Sequence, residues 1–115
     1  MRLTELEPQF LQYKKDADGI HLHHVGSIND AQGIFFVCPK CFAENGNSRI
    51  GVHAVICWSK TSGTPDEAEP GPGRWRLEGT GYQDLSLMEE PGKSRSVLLT
   101  SGCRWHGFVT NGEVI

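Results

Sequence analysis

Two short chelating units, Cys38-Pro39-Lys40-Cys41 and Cys103-Arg104-Trp105-His106, constrain the fold of this sequence more than any other feature. They lie far apart in the chain, so a site that uses both must draw distant segments to one point. Zinc takes four ligands in a tetrahedron, with sulfur at about 2.3 Å and nitrogen at about 2.0–2.1 Å. A Cys-x-x-Cys turn supplies two corners, and Pro39 sets its bend. Cys103 and His106 supply two more if their segment also turns, which the flanking Gly102 and Gly107 allow. The expected set is therefore Cys38, Cys41, Cys103 and His106, holding a structural Zn2+, with iron as the rival metal. Paired cysteine spacing of this kind is more specific than any single cysteine.

His53 and Cys57 are the competing donors. Both fall in an expected strand, Val52 to Trp58, on one face. Four residues of strand span roughly 13 Å at about 3.3 Å each, so at most one of them joins a shared ion. Cys57, between Ile56 and Trp58, reads as a buried thiol. His53 is the alternative fourth ligand, or a group that contacts the ligands.

A chain of 115 residues with 14 glycines is one domain, residues 1–115. It lacks the long Ala/Leu/Glu/Lys runs of helical proteins. The expected class is mainly β: a small twisted sheet or sandwich with a zinc-knuckle-like site. Structural zinc contributes an apparent ~10–16 kcal/mol, against a net stability of about 5–15 kcal/mol for such a domain. Metal would then decide whether the chain folds.

Strands are expected at Phe10–Tyr13, Ile20–Ile28, Ile34–Val37, Val52–Trp58, Arg74–Thr80 and Val97–Thr100. Asn111-Gly112, between Phe108-Val109-Thr110 and Glu113-Val114-Ile115, predicts a type I′ hairpin. The last strand, short and terminal, reads as an edge or as one completed by another chain. Residues 59–73, rich in proline, glycine and acid, read as a mobile loop, and Glu89–Ser94 as a turn. Val37, Val55, Ile56, Trp75, Leu77, Val97, Leu99, Phe108 and Val114 are the expected core.

The formal charge is -3, without the basic footprint of a general nucleic-acid binder. No apolar run is long enough to span a membrane, and the first residues lack the pattern of a signal peptide. The expected compartment is a reducing cytoplasm, where spaced cysteines are ligands more often than disulfide partners. His21, His23 and His24 form a second histidine cluster, readable as a weak metal site or as a polar strand face. Arg74-Trp75-Arg76 and Arg104-Trp105 set guanidinium beside indole, a pairing that stacks on single-stranded bases, or else packs Trp inward and solvates Arg. A closed Cys3His set leaves no position for a reactive water. With one ligand missing, Glu44 or His53 could serve as a base, but no His-Glu-x-x-His motif is present.

The runs Phe36-Val37-Cys38-Pro39-Lys40-Cys41-Phe42, Pro70-Gly71-Pro72-Gly73-Arg74-Trp75 and Gly102-Cys103-Arg104-Trp105-His106-Gly107-Phe108-Val109-Thr110-Asn111-Gly112 resemble a family of small proteins from tailed bacteriophages and prophages. Its members are often labelled "ammonia monooxygenase", although nothing here resembles a multi-subunit copper enzyme of membranes. The resemblance covers most of the chain beyond about Gln32 and departs at Asn47-Ser48-Arg49-Ile50-Gly51. It implies a phage-derived, cytoplasmic, metal-binding β-domain and carries no catalytic residues.

The functional expectation is a non-enzymatic zinc domain that binds a host or phage macromolecule, protein rather than nucleic acid, through residues 59–73 and the Trp105 hairpin. The alternatives are a small metalloenzyme with an open zinc position, and a single-stranded nucleic-acid binder using Arg74, Trp75, Arg104 and Trp105.

Overall fold

A computed structural model describes residues 1–115. It is mainly β. Strands β1 (Gln9–Asp16), β2 (Gly19–Val25), β3 (Gly33–Val37) and β4 (Ala54–Trp58) form an antiparallel sheet in the order β2-β1-β3-β4. Strands β5 (Arg76–Glu78), β6 (Ser86–Glu90) and β7 (Lys93–Ser94) form a three-stranded meander. Two hairpins follow, β8 (Val97–Leu98) with β9 (His106–Gly107), and β10 (Val109–Thr110) with β11 (Glu113–Val114). One α-helix, α1 (Pro39–Glu44), leaves the end of β3. No helix is long and apolar enough to cross a membrane.

Strand alternation assigns side chains to the two faces of the four-stranded sheet. Phe10, Ile34, Phe36, Val55 and Cys57 point into the main core, where they meet Leu3, Leu6, Trp75, Leu85, Leu87, Val97, Trp105, Val109 and Val114. Leu11, Tyr13 and Trp58 point the other way and are covered with Ala68. Trp58 lies over Gly33, where a Cβ would come within 2.6 Å of its Cε3 atom. The expected core residues Val37, Val55, Trp75, Val97 and Val114 are buried, Leu77 and Leu99 are half-buried, and Ile56 faces the second cluster. Phe108 is exposed.

Residues 59–73, expected as a mobile loop, form the cover over that second face and are tied to it. Trp58 Nε1 donates to Glu69 O at 2.9 Å and Thr64 Oγ1 donates to Gln32 O at 3.1 Å. The Arg74 guanidinium donates to the carbonyls of Pro65, Asp66, Ala68, Pro70 and Gly73, at 2.9–3.3 Å. One side chain thus satisfies carbonyls of a segment with no ladder of its own.

The Asn111-Gly112 hairpin forms as expected, with φ of 49° and 76° at its two turn residues. Its last strand is completed from within the chain: Val114 N–H donates to Met1 O at 2.7 Å, and Leu3 N–H donates to Gly112 O at 2.8 Å. The region read as a turn at residues 89–94 holds the turn of the β6–β7 hairpin at Pro91-Gly92, but strand reaches further into it than expected, β6 running through two consecutive glutamates.

Candidate metal centre

The end of β3 delivers Cys38 to the start of α1. Cys38 is the residue before the first helical position, Pro39 occupies that position, and Cys41 sits one turn on. Proline is favoured there because its missing N–H has no partner to lose. The backbone N–H groups of Cys41 and Lys40 turn toward the Cys38 sulfur. The first chelating unit is therefore the first turn of a helix rather than an isolated bend.

Cys103 arrives from the β8–β9 connection. Gly102 and Arg104 both have positive φ, 66° and 57°. Arg104 N–H donates to Ser101 O at 3.3 Å, closing a tight knuckle. The knuckle presents Cys103 to the helix start, with its Sγ 3.6 Å from that of Cys38. Lys40 Nζ donates to Cys103 O at 2.9 Å, tying the two units together.

The fourth member is His53. It precedes β4, where Cys38 N–H donates to His53 O at 3.0 Å, and its Nε2 lies 3.3 Å from Cys103 Sγ. One donor atom from each of Cys38, Cys41, His53 and Cys103 lies within 4.8 Å of every other. Two sulfurs about 2.3 Å from one ion at a tetrahedral angle would be separated by about 3.8 Å. The Cys38–Cys103 spacing of 3.6 Å is close to that value and far from the roughly 2.05 Å of a disulfide. All four cysteines are free.

His106, the fourth ligand expected from spacing, lies outside this group. The reason is strand alternation. Trp105 is buried and stands edge-on to Phe36, with ring centroids 6.1 Å apart. Its carbonyl accepts from Leu99 N–H at 2.9 Å. With Trp105 turned in, His106 in β9 turns out to solvent, near Phe108. The segment thus curls at Cys103 and runs extended two residues later. Of His53 and Cys57 only one joins the cluster, as strand reach requires: His53 lies just outside the strand, while Cys57 is buried within it, where burial pushes its thiol pKa up.

Without a cation the three clustered thiols ionise unequally. Burial pushes Cys103 up. The hydrogen bond with His53, the Trp105 backbone N–H and the Cys38 and Cys41 thiols outweigh this and bring its pKa down to about 7. Burial, then hydrogen bonding with Cys103 and Cys38 and their charge, push Cys41 up to about 12. Burial also raises Cys38. Three thiolates this close repel one another, and a divalent cation supplies the charge that would let all of them ionise together.

In the arginine–tryptophan pairs both indoles and the Arg74 guanidinium are engaged within the fold. Trp75 and Trp105 are buried, Trp75 Nε1 donates to Ser96 O at 3.1 Å, and Arg74 is engaged by loop carbonyls. Arg104 is exposed on the knuckle. His21 and His23 stand 6.4 Å apart on exposed β2, with His21 Nε2 3.4 Å from Asp16, and no third donor joins them. Comparison of the chain with protein-family models, with curated proteins and with solved structures finds no match to any of them.

Proposed function

We propose that this chain is a non-enzymatic binding domain whose fold is closed by a structural zinc ion on Cys38, Cys41, His53 and Cys103. One observation carries the reading: four soft or borderline donors from three distant segments converge within 4.8 Å. Three thiolates and an imidazole suit zinc, and they fill a tetrahedron without leaving a position for water. The ion would pin the helix start, the lead into β4 and the β8–β9 knuckle to one point. Its role is architectural, and the surfaces it fixes serve recognition of another macromolecule, a protein rather than a nucleic acid. The burial of both indoles supports that preference. The resemblance to small phage and prophage proteins favours a bacterial host or phage protein as partner, met in the cytoplasm.

Elemental analysis of untagged protein tests the metal directly, with one zinc per chain expected. Cobalt substitution tests the coordination. A four-ligand site gives the intense visible bands and thiolate charge-transfer absorption of tetrahedral cobalt, unchanged by added azide or cyanide. A spectrum that shifts with such anions would favour the metalloenzyme reading. One observation keeps that reading in view: His53 is exposed and lines a cavity together with Cys41 and Cys103.

A further inference from the structure

β4 is an outer strand of its sheet, and β8 is paired on one side only. Antiparallel ladders alternate bonded and non-bonded pairs. Cys38 N–H donates to His53 O and Ser59 N–H donates to Gln32 O, which fixes the bonded pairs between β3 and β4. Ile56, opposite Phe35, falls between them and turns its N–H and C=O away from β3. In the same way the bond from Leu99 N–H to Trp105 O leaves Leu98, opposite His106, turning its N–H and C=O away from β9. No other backbone group of the chain bonds to either residue.

The two open edges flank one groove. On the β4 edge, Trp58 O accepts from Trp75 N–H at 3.0 Å; on the β8 side, Ser96 O accepts from Trp75 Nε1 at 3.1 Å. Trp75 thus bridges the edges at one end. Beyond it lies a cavity of about 470 Å3 lined by Val55, Ile56, Pro72, Val97, Leu98 and Leu99, and reaching Cys41, His53 and Cys103. No Asp, Glu, Lys or Arg lines it. Leu98 is a large apolar side chain left 58% exposed.

We propose that the groove between β4 and β8 receives an extended, uncharged segment of a partner protein, which adds as a strand against Ile56 and Leu98 and presents apolar residues at alternate positions. Backbone donors and acceptors at strand spacing are matched by another strand. Walls without charge disfavour any segment whose charges would be stripped of water there. The zinc unit, two positive charges against three thiolates, leaves one negative charge at the far end, which excludes acidic residues beside it. The inference names the partner class for the binding domain proposed above and rests on that reading.

The test pans a displayed library of random decapeptides against the metal-loaded chain and, in parallel, against Leu98→Asp. The wild type is expected to enrich uncharged peptides with apolar residues at every second position, and Leu98→Asp to bind them at least tenfold more weakly. Methylating alternate backbone nitrogens of the best peptide removes its donors and keeps its side chains; it should weaken binding at least tenfold. Amide exchange at Ile56 and Leu98 should slow at least tenfold in the complex. No enrichment over the Leu98→Asp control, protection confined to other amides, or indifference to N-methylation overturns the proposal. Metal content of the same samples separates the two readings: one zinc per chain without edge protection sinks the groove alone, whereas edge protection in a chain that binds no zinc sinks the metal assignment alone.

Discussion

His53 Nε2 sits 3.3 Å from Cys103 Sγ, although the two residues are 50 positions apart in the chain. Neither belongs to a regular element: His53 precedes β4 and Cys103 lies in the turn before β9. Their meeting is a property of the assembled fold. It gives the donor cluster a fourth member that topology supplies, in place of the residue that spacing favours.

Replacement of His53 and of His106 should therefore have opposite outcomes. Cys38→Ser and Cys103→Ser should lose stoichiometric zinc and cooperative unfolding. His53→Ala should weaken zinc by at least tenfold in competition with a chromophoric chelator. His106→Ala should keep one zinc per chain with unchanged affinity. Loss of zinc in His106→Ala, with His53→Ala intact, would reverse the assignment.

Zinc uptake should release protons, because thiols bind the metal as thiolates. Protons and metal compete for the same sulfurs, so affinity should fall as the pH falls. A titration in two buffers of different ionisation enthalpy measures the proton count. Uptake with no proton release would argue against thiolate ligation.

Cys57 should matter to packing and leave metal content unchanged. It is fully buried beside Ile34 and Phe36 in the sheet. Cys57→Ser puts a hydroxyl in that apolar site, which costs about 1–3 kcal/mol when unsatisfied. Chemical denaturation should register the loss, while elemental analysis still returns one zinc per chain.

Asp84 makes stability depend on pH in a second, independent way. Its carboxylate accepts from Thr80 N–H at 2.9 Å, Thr80 Oγ1 at 2.8 Å and Gly81 N–H at 2.9 Å. The hydrogen bond from the Thr80 backbone, then that from its hydroxyl, lead in holding the carboxyl below its usual range. The folded state thus favours the ionised form. Its stabilising contribution is present above the ordinary carboxylate pKa and is lost as the pH falls through the depressed value. Thermal melts of wild type and Asp84→Asn should differ near neutrality and converge in acid.

Arg74→Ala should loosen residues 59–73 specifically. Five carbonyl acceptors lose their donor, while Trp75 and the metal ligands keep their contacts. Amide exchange and proteolytic nicking should rise in residues 62–73 with zinc content unchanged. A loop no more accessible than in the wild type would show that Trp58 and Ala68 hold it without help.

Much of this was legible in the sequence where a local rule had no competitor. Asn111-Gly112 dictates its turn through two positive φ values, and Ile34 to Val37 could be little else than a buried strand. Cys38, Cys41 and Cys103 were readable as members of one cluster because thiols so spaced read as a chelating set. The sequence leaves the fourth member of the cluster between His106 and His53, because excluding His106 depends on which way Trp105 points, and Trp105 packs against Phe36 across the core. Likewise Glu89 to Ser94 reads as a turn, and only the pairing of β6 with β5 and β7 makes strand of the residues on either side of Pro91-Gly92. Arg74 looked like a solvated cation; its five acceptors become visible only when the loop carbonyls are placed.

The berth filled by residues 1–3 beside β11 has a consequence for folding order. Met1 and Val114 meet although they are 113 positions apart. A contact of such separation carries the closure entropy of all the chain between, whereas the β1–β2 and β10–β11 hairpins close over a few residues. Local hairpins therefore come first, and the seam between residues 1–3 and β11 is expected to zip up only after the sheets on either side of it exist.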